Sequence, residues 1–217
     1  MHLFSAITAK KSSILFLCNF FFSDFVYSYS LQNRNINAEI ESPPSCEIII
    51  PDGGQYQFNQ IHARLFHATK KMEIPEVVKT WQVVCNTSIQ LSVRFSDNRV
   101  DTSSIGIENN FGLGQVNTHG KLGNYQLILN QFKVDGDLVG LGAINNISQS
   151  KTTKGLTVLK NESYTWLNSD NSLSVGKVFS LNIAVKPILN NLTETNGPII
   201  DGADFDGSAD IIFSFGI

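Results

Sequence analysis

The chain has 217 residues, a formal net charge of −3, 42% hydrophobic residues and only 16% charged ones. That length allows one large domain or two small ones, and low charge combined with many apolar and aromatic residues argues against disorder over most of it. Sixteen Lys and Arg against nineteen Asp and Glu, with no basic stripe beyond Lys70-Lys71, argue against a nucleic-acid binder.

The chain begins with a leader pattern. Lys10-Lys11 precede a short apolar run, Ile14 to Phe22, and Ser28 and Ser30 occupy the −3 and −1 positions of a cut before Leu31. This predicts a secretory signal peptide over residues 1–30. The alternative, a membrane anchor, fits less well, because the run is too short to span a bilayer and Asn19 and Asp24 interrupt it. Cleavage removes Lys10, Lys11, Cys18 and Asp24, leaving 14 basic and 18 acidic groups. Nothing in that balance suggests attraction to an anionic membrane.

Cleavage also leaves two cysteines, Cys46 and Cys85. In an exported chain such a pair predicts a disulfide. A zinc site is the competing reading, and it is weak without a CxxC or paired His nearby.

The rest reads as strands punctuated by Ser, Thr, Asn and Gly, which predicts an all-β sandwich or barrel. Residues 31–45 are polar, with a faint alternation at Ile36, Ala38 and Ile40. A strand over 46–50 is stopped by Pro51-Asp52-Gly53-Gly54, a strong turn signal. Tyr56 and Phe58 share a face, with Ile61 as a further candidate, and His62 to Lys71 is the best helix candidate, though short and uncapped. Trp81, Val83 and Cys85 alternate in a second strand, and Ile89, Leu91, Val93 and Phe95 give the clearest period-2 pattern. Further strands are predicted over 125–129, 156–159 and 178–185, the last with Phe179, Leu181, Ile183 and Val185 on one face. Ala209, Ile211, Phe213, Phe215 and Ile217 close the chain on every second residue. No internal repeat or linker divides the mature chain.

The chemical motifs are weak. Gly112-Leu113-Gly114 with Gly120 has the wrong spacing for a phosphate loop and reads as a turn cluster. Asp201, Asp204, Asp206 and Asp210 lack the order of a calcium loop and read as a solvated turn. His62, His67 and His119 complete no metal motif, and there is no G-x-S-x-G. No two carboxylates stand out as a glycosidase pair. The expectation is a protein that is not an enzyme and needs no cofactor. Sequons at Asn86, Asn146, Asn161 and Asn191 matter only in a eukaryotic secretory route. The terminal alternation matters more. A hydrophobic strand left uncovered at a sheet edge invites another strand to pair with it, whereas the plain reading is an ordinary strand paired inside its own domain.

Several blocks resemble the beta-fimbria type of fimbrial subunit: Ser45 to Gly54 with Tyr56 to Ile61, Val83 to Arg99, Phe111 to Gly114, Lys121 to Leu127 with Asp135-Gly136, and Asp206 to Ile211. They occur in order over about residues 45–217. The resemblance implies a chaperone–usher pilus subunit with an immunoglobulin-like incomplete β-sandwich, pilin-like, that is completed by a donor strand. It implies that Cys46 and Cys85 join the first two strands and that residues 31–45 form an N-terminal extension whose Ile36, Ala38 and Ile40 enter a neighbour. Residues 46–217 would be the pilin-like domain, with Ala209, Ile211, Phe213, Phe215 and Ile217 as the last strand bordering the groove. The implied partners are a periplasmic pilus chaperone, an outer-membrane usher and neighbouring fimbrial subunits. The implied route is export, passage through the periplasm and residence in a cell-surface fimbrium that serves cell adhesion. The sequence departs from the usual pilin pattern in having Gly216 next to last, and Gly207 lies closer to the terminus than is common. Two rivals remain: a single-domain tip adhesin that binds a glycan or host receptor, and a secreted β-sandwich enzyme.

Overall fold

The computed structural model describes residues 43–59, 62–103, 106–200 and 202–215. The expected leader, the extension through Ser42, Ile61, Asp201, Gly216 and Ile217 lie outside the described residues. Residues 42–217 make one compact unit.

The fold is all-β and antiparallel. Its strands are β1 Cys46–Ile49, β2 Met72–Glu73, β3 Val77–Ile89, β4 Leu91–Asp97, β5 Phe111–Gly112, β6 Gln115–Val116, β7 Gly120–Lys121, β8 Gly123–Val134, β9 Asp137–Leu138, β10 Gly140–Ala143, β11 Leu156–Thr157, β12 Ser163–Leu167, β13 Gly176–Leu189 and β14 Ala209–Phe215. The larger sheet runs β1-β3-β13-β8-β11, with β2 beside β13 and with β5 and β9 beside β8. The smaller sheet runs β10-β12-β4-β14, and β6 and β7 form a separate hairpin. The one α-helix among the described residues is a single turn, Ile147–Ser150.

The alternation read from the sequence sets the core. Phe179, Leu181, Ile183 and Val185 of β13 are all buried, together with Trp81, Val83 and Cys85 of β3 and Leu91, Val93 and Phe95 of β4. Both sheets contribute to this one core. Trp166 of β12 meets Phe179 of β13 edge-on, with ring centroids 5.4 Å apart, a favoured aromatic geometry. The Ile89–Phe95 pattern is divided at Gln90, where the chain leaves β3 of the larger sheet and enters β4 of the smaller.

Two expected elements differ. Residues 62–71 form only a 3-10 turn at Ala63–Leu65, with Phe66 as the single buried side chain. Ten uncapped residues lack the length that offsets helix nucleation. The strand expected over 156–159 ends at Thr157, although Val158 still donates its N–H to the Leu127 carbonyl at 2.9 Å.

Candidate functional site: a groove between two sheet edges

Among the described residues, β1 and β14 each pair with a single neighbour, β3 and β4 respectively, so each is a sheet edge there. Cross-strand partners in an antiparallel ladder share a face. Ile48 stands across from Val83, which is 1% exposed, yet Ile48 itself is 41% exposed. On β14, Ile211, Phe213 and Phe215 stand across from the buried Phe95, Val93 and Leu91. Ile211 and Phe213 are only half-buried, and Phe215 is 50% exposed. Core-face side chains are thus uncovered along both edges.

A groove of about 780 Å³ opens at this place. Ala209 and Ile211 of β14 border one side, and Ile50 and Gly54 border the other. Trp81, Tyr125, Leu127, Ile183 and Val185 form its floor. The lining is mostly aliphatic and aromatic, and Asp210 is its one ionisable carboxylate.

The β14 backbone adds a second feature. Asn98 donates its N–H to the Ser208 carbonyl at 3.0 Å, in the same register that pairs Ala209 with Asp97. Hydrogen-bonded and non-hydrogen-bonded pairs alternate in an antiparallel ladder. Positions 210, 212 and 214 therefore turn their N–H and C=O groups toward β4. Positions 209, 211, 213 and 215 turn theirs toward the open edge, and these are also the residues whose side chains face the core.

The sequence explains how the groove walls are held. After β1 the backbone turns sharply, with φ of +48° at Asp52, +61° at Gly53 and +81° at Gly54. Two glycines accept this left-handed run at little steric cost. Lys79 pairs with Asp52, and its ammonium lies 5.5 Å from the Tyr56 ring centroid. Residues 55–59 then run extended outside any strand, with Tyr56 and Phe58 turned inward. Phe58 meets Phe205 edge-on at 5.3 Å. Burial pushes the Tyr56 phenol up to about 12, partly opposed by its hydrogen bond with Trp81. Burial and the charge of Asp97 push the Tyr125 phenol up still further.

On the β14 side, Arg99 donates to both the carbonyl and the carboxylate of Asp206, at 3.3 and 3.0 Å. Asp206 in turn donates its N–H to the Leu113 carbonyl at 3.2 Å. Asp210 accepts a bond of 2.9 Å from Asn98. Asp206, before β14, and Asp210, within it, are thus each tied to the residues that follow β4. Among the described residues, no group of three or more His, Cys, Asp or Glu gathers as a metal site would.

Cys46 and Cys85 are disulfide-bonded and sit directly across β1 and β3. Ala209, Ile211, Phe213 and Phe215 lie together on β14. Ile36, Ala38, Ile40 and Ile217 lie outside the described residues. The groove also draws on Trp81, Tyr125, Ile183 and Phe205, which sequence reasoning did not assign to a site. For Trp81, Tyr125 and Ile183 the only sequence signal is membership of apolar strand faces, and the alternation cannot say which part of a face lacks a cover; Phe205 lies outside any strand and carries no such signal.

A scan against protein-family models finds no match, and a search of curated proteins finds no matching relative.

Proposed function

We propose that this chain is a structural subunit of a chaperone–usher fimbria that polymerises by donor-strand exchange. On this reading the two sheets are an immunoglobulin-like sandwich one strand short. The observation that carries the proposal is the pair of uncovered edges. Ile48 on β1 and Phe215 on β14 face the core side yet remain exposed beside fully buried partners. The open backbone groups of positions 209, 211, 213 and 215 suit strand addition, in which main-chain hydrogen bonds give affinity and alternate side-chain pockets give specificity. Each large apolar side chain covered in this way contributes up to about 1.5–3 kcal/mol.

Residues 1–30 act as the export signal, and residues 31–42 supply the donor segment through Ile36, Ala38 and Ile40. A periplasmic chaperone covers the groove in transit, the outer-membrane usher passes subunits outward, and the next subunit's extension then takes the groove. The fimbrium is a surface structure for adhesion, and the subunit performs no reaction. Deleting residues 31–42 tests this directly: the variant should fold but yield no SDS-resistant polymers. Unchanged polymerisation would refute the donor assignment.

A further inference from the structure

Between β13 and β14 the chain makes one tight turn that is capped at both ends. Asn191 Oδ1 accepts the N–H of Thr193 and that of Glu194, each at 3.1 Å, the bonding of a helix N-cap. At the other end the Asn196 N–H donates to the Thr193 carbonyl at 3.3 Å and the Gly197 N–H donates to the Leu192 carbonyl at 3.0 Å. These two bonds are those of a Schellman motif, whose left-handed residue is usually Gly and sometimes Asn. Here it is Asn196, exposed and with φ of +58°.

A side-chain staple holds this turn against the β6–β7 hairpin. Asn117 Nδ2 donates to the carbonyls of Thr195, Gly197 and Pro198 at 2.9, 3.1 and 3.3 Å. Thr195, fully buried, donates its hydroxyl to the Gly197 carbonyl at 2.8 Å. The two backbones lie so close that a Cβ on Gly120 would meet the Thr195 carbonyl at 2.0 Å. Asn196 Nδ2 is held more weakly, by a bond of 3.4 Å to the Asn117 carbonyl.

Asn196-Gly197 is the single Asn-Gly step of the chain. Such a step has its own chemistry, because glycine leaves the following backbone nitrogen unshielded by a Cβ. The Gly197 nitrogen attacks Cγ of Asn196. The N–Cγ bond forms, the Cγ–Nδ2 bond breaks, and ammonia leaves with the Gly197 proton. Water then opens the cyclic imide to aspartate or isoaspartate. The nitrogen that must attack is the one whose N–H closes the turn on Leu192, and the carbonyl beyond it is fixed by Asn117 and Thr195. The reaction therefore waits on opening of the turn. Its products cannot restore the cap. Isoaspartate adds a methylene to the main chain, and either product replaces the amide donor facing the Asn117 carbonyl with a carboxylate.

We infer that Asn196-Gly197 is a self-modification site held in check by the Asn117 staple, so that each loosening of the 191–198 turn is recorded as an irreversible new negative charge. Residues 115–121 and 191–198 are not among those lining the groove, so this inference stands apart from the reading of the groove.

The test incubates the exported full chain at neutral pH in native buffer and in urea, and measures aspartate and isoaspartate at position 196 by peptide mapping and mass spectrometry. Product should form in urea, and at least about a hundredfold more slowly in native buffer, the protection given by roughly two net hydrogen bonds. Folded Asn117→Ala should react about tenfold faster than wild type in native buffer, having lost about one such bond. Asn191→Ala, which removes the front cap, carries the test if Asn117→Ala does not fold. No product at position 196 in urea overturns the site. Equal rates in the two solvents overturn the protection, and a folded Asn117→Ala that reacts at the wild-type rate overturns the staple.

Discussion

Trp81 donates its indole N–H to the phenol oxygen of Tyr56 at 3.0 Å, and the Tyr56 O–H donates onward to the Ile183 carbonyl at 3.1 Å. This relay satisfies the polar atoms of two aromatic side chains at the groove floor and anchors residues 55–59, which have no ladder of their own. Tyr56→Phe keeps the ring but leaves the Trp81 N–H without an acceptor. The expected loss is about 1–3 kcal/mol of stability, the cost of a buried donor left unpaired, read from urea denaturation.

The same phenol gives a pH signature. Its proton is held up to about 12 in the folded chain against 10.0 for the free group. The unfolded chain therefore ionises first. The stability tied to this group is fully present below pH 10 and is lost as pH rises through about 12. Denaturant midpoints across that window should fall less in Tyr56→Phe than in the wild type.

Reducing Cys46–Cys85 releases the edge strand β1 from β3. The bridge spans a sequence separation of 39, and its loss should cost about 2–5 kcal/mol. Urea curves with and without reductant, with Cys46→Ser/Cys85→Ser as the permanent equivalent, measure this.

Asp97 is a buried anchor. Its carboxylate accepts the N–H of Arg99 at 2.8 Å and that of Gly112 at 3.0 Å, and it lies 3.8 Å from the Lys160 ammonium. Asp97→Ala takes the counter-charge from a poorly solvated ammonium, which keeps only its 2.8 Å bond to the Asn110 carbonyl, and removes the acceptor of two backbone donors. A loss of about 3–5 kcal/mol is expected, with Lys160→Met/Asp97→Leu recovering part of it if the pair itself is the cause. Thermal denaturation of the wild type and the two variants decides the matter.

Gly207 separates groove shape from stability. A Cβ there would sit 2.7 Å from Cε1 of Tyr125 on the groove floor, whereas one at Gly112 would sit 1.8 Å from the Arg99 carbonyl. A ring can shift where a backbone carbonyl cannot. Gly207→Ala should therefore lose less stability than Gly112→Ala and bind a synthetic 31–42 peptide at least about fivefold more weakly, roughly 1 kcal/mol. Gly112→Ala should lose several times more stability. Peptide titration alongside calorimetry distinguishes the two.

Strand faces were the most legible part of the sequence, because period-2 burial is a local property. Phe179 to Val185 and Trp81 to Cys85 lie where alternation puts them. The junction at Gln90 was hidden, since Ile89 and Leu91 continue one alternation while the chain changes sheets. β12 does not stand out because its alternation is only five residues long, with Tyr164 and Trp166 as the two alternating apolar positions, and its burial on both faces does not follow that alternation. The groove was only half legible. The C-terminal alternation marked β14, but the exposure of Ile48 and Ile50 depends on which strands pair far along the chain.

The one-residue step at Gln90 has a mechanical consequence. A tensile load arriving at the N-terminal end of the folded unit meets the Cys46–Cys85 bond before it can peel β1, and so enters β3 covalently. Gln90 transmits it directly to β4, whose full length is stitched to β14. A pull between the two edges is then resisted by many bonds loaded in shear at once, rather than by a strand unzipping one bond at a time.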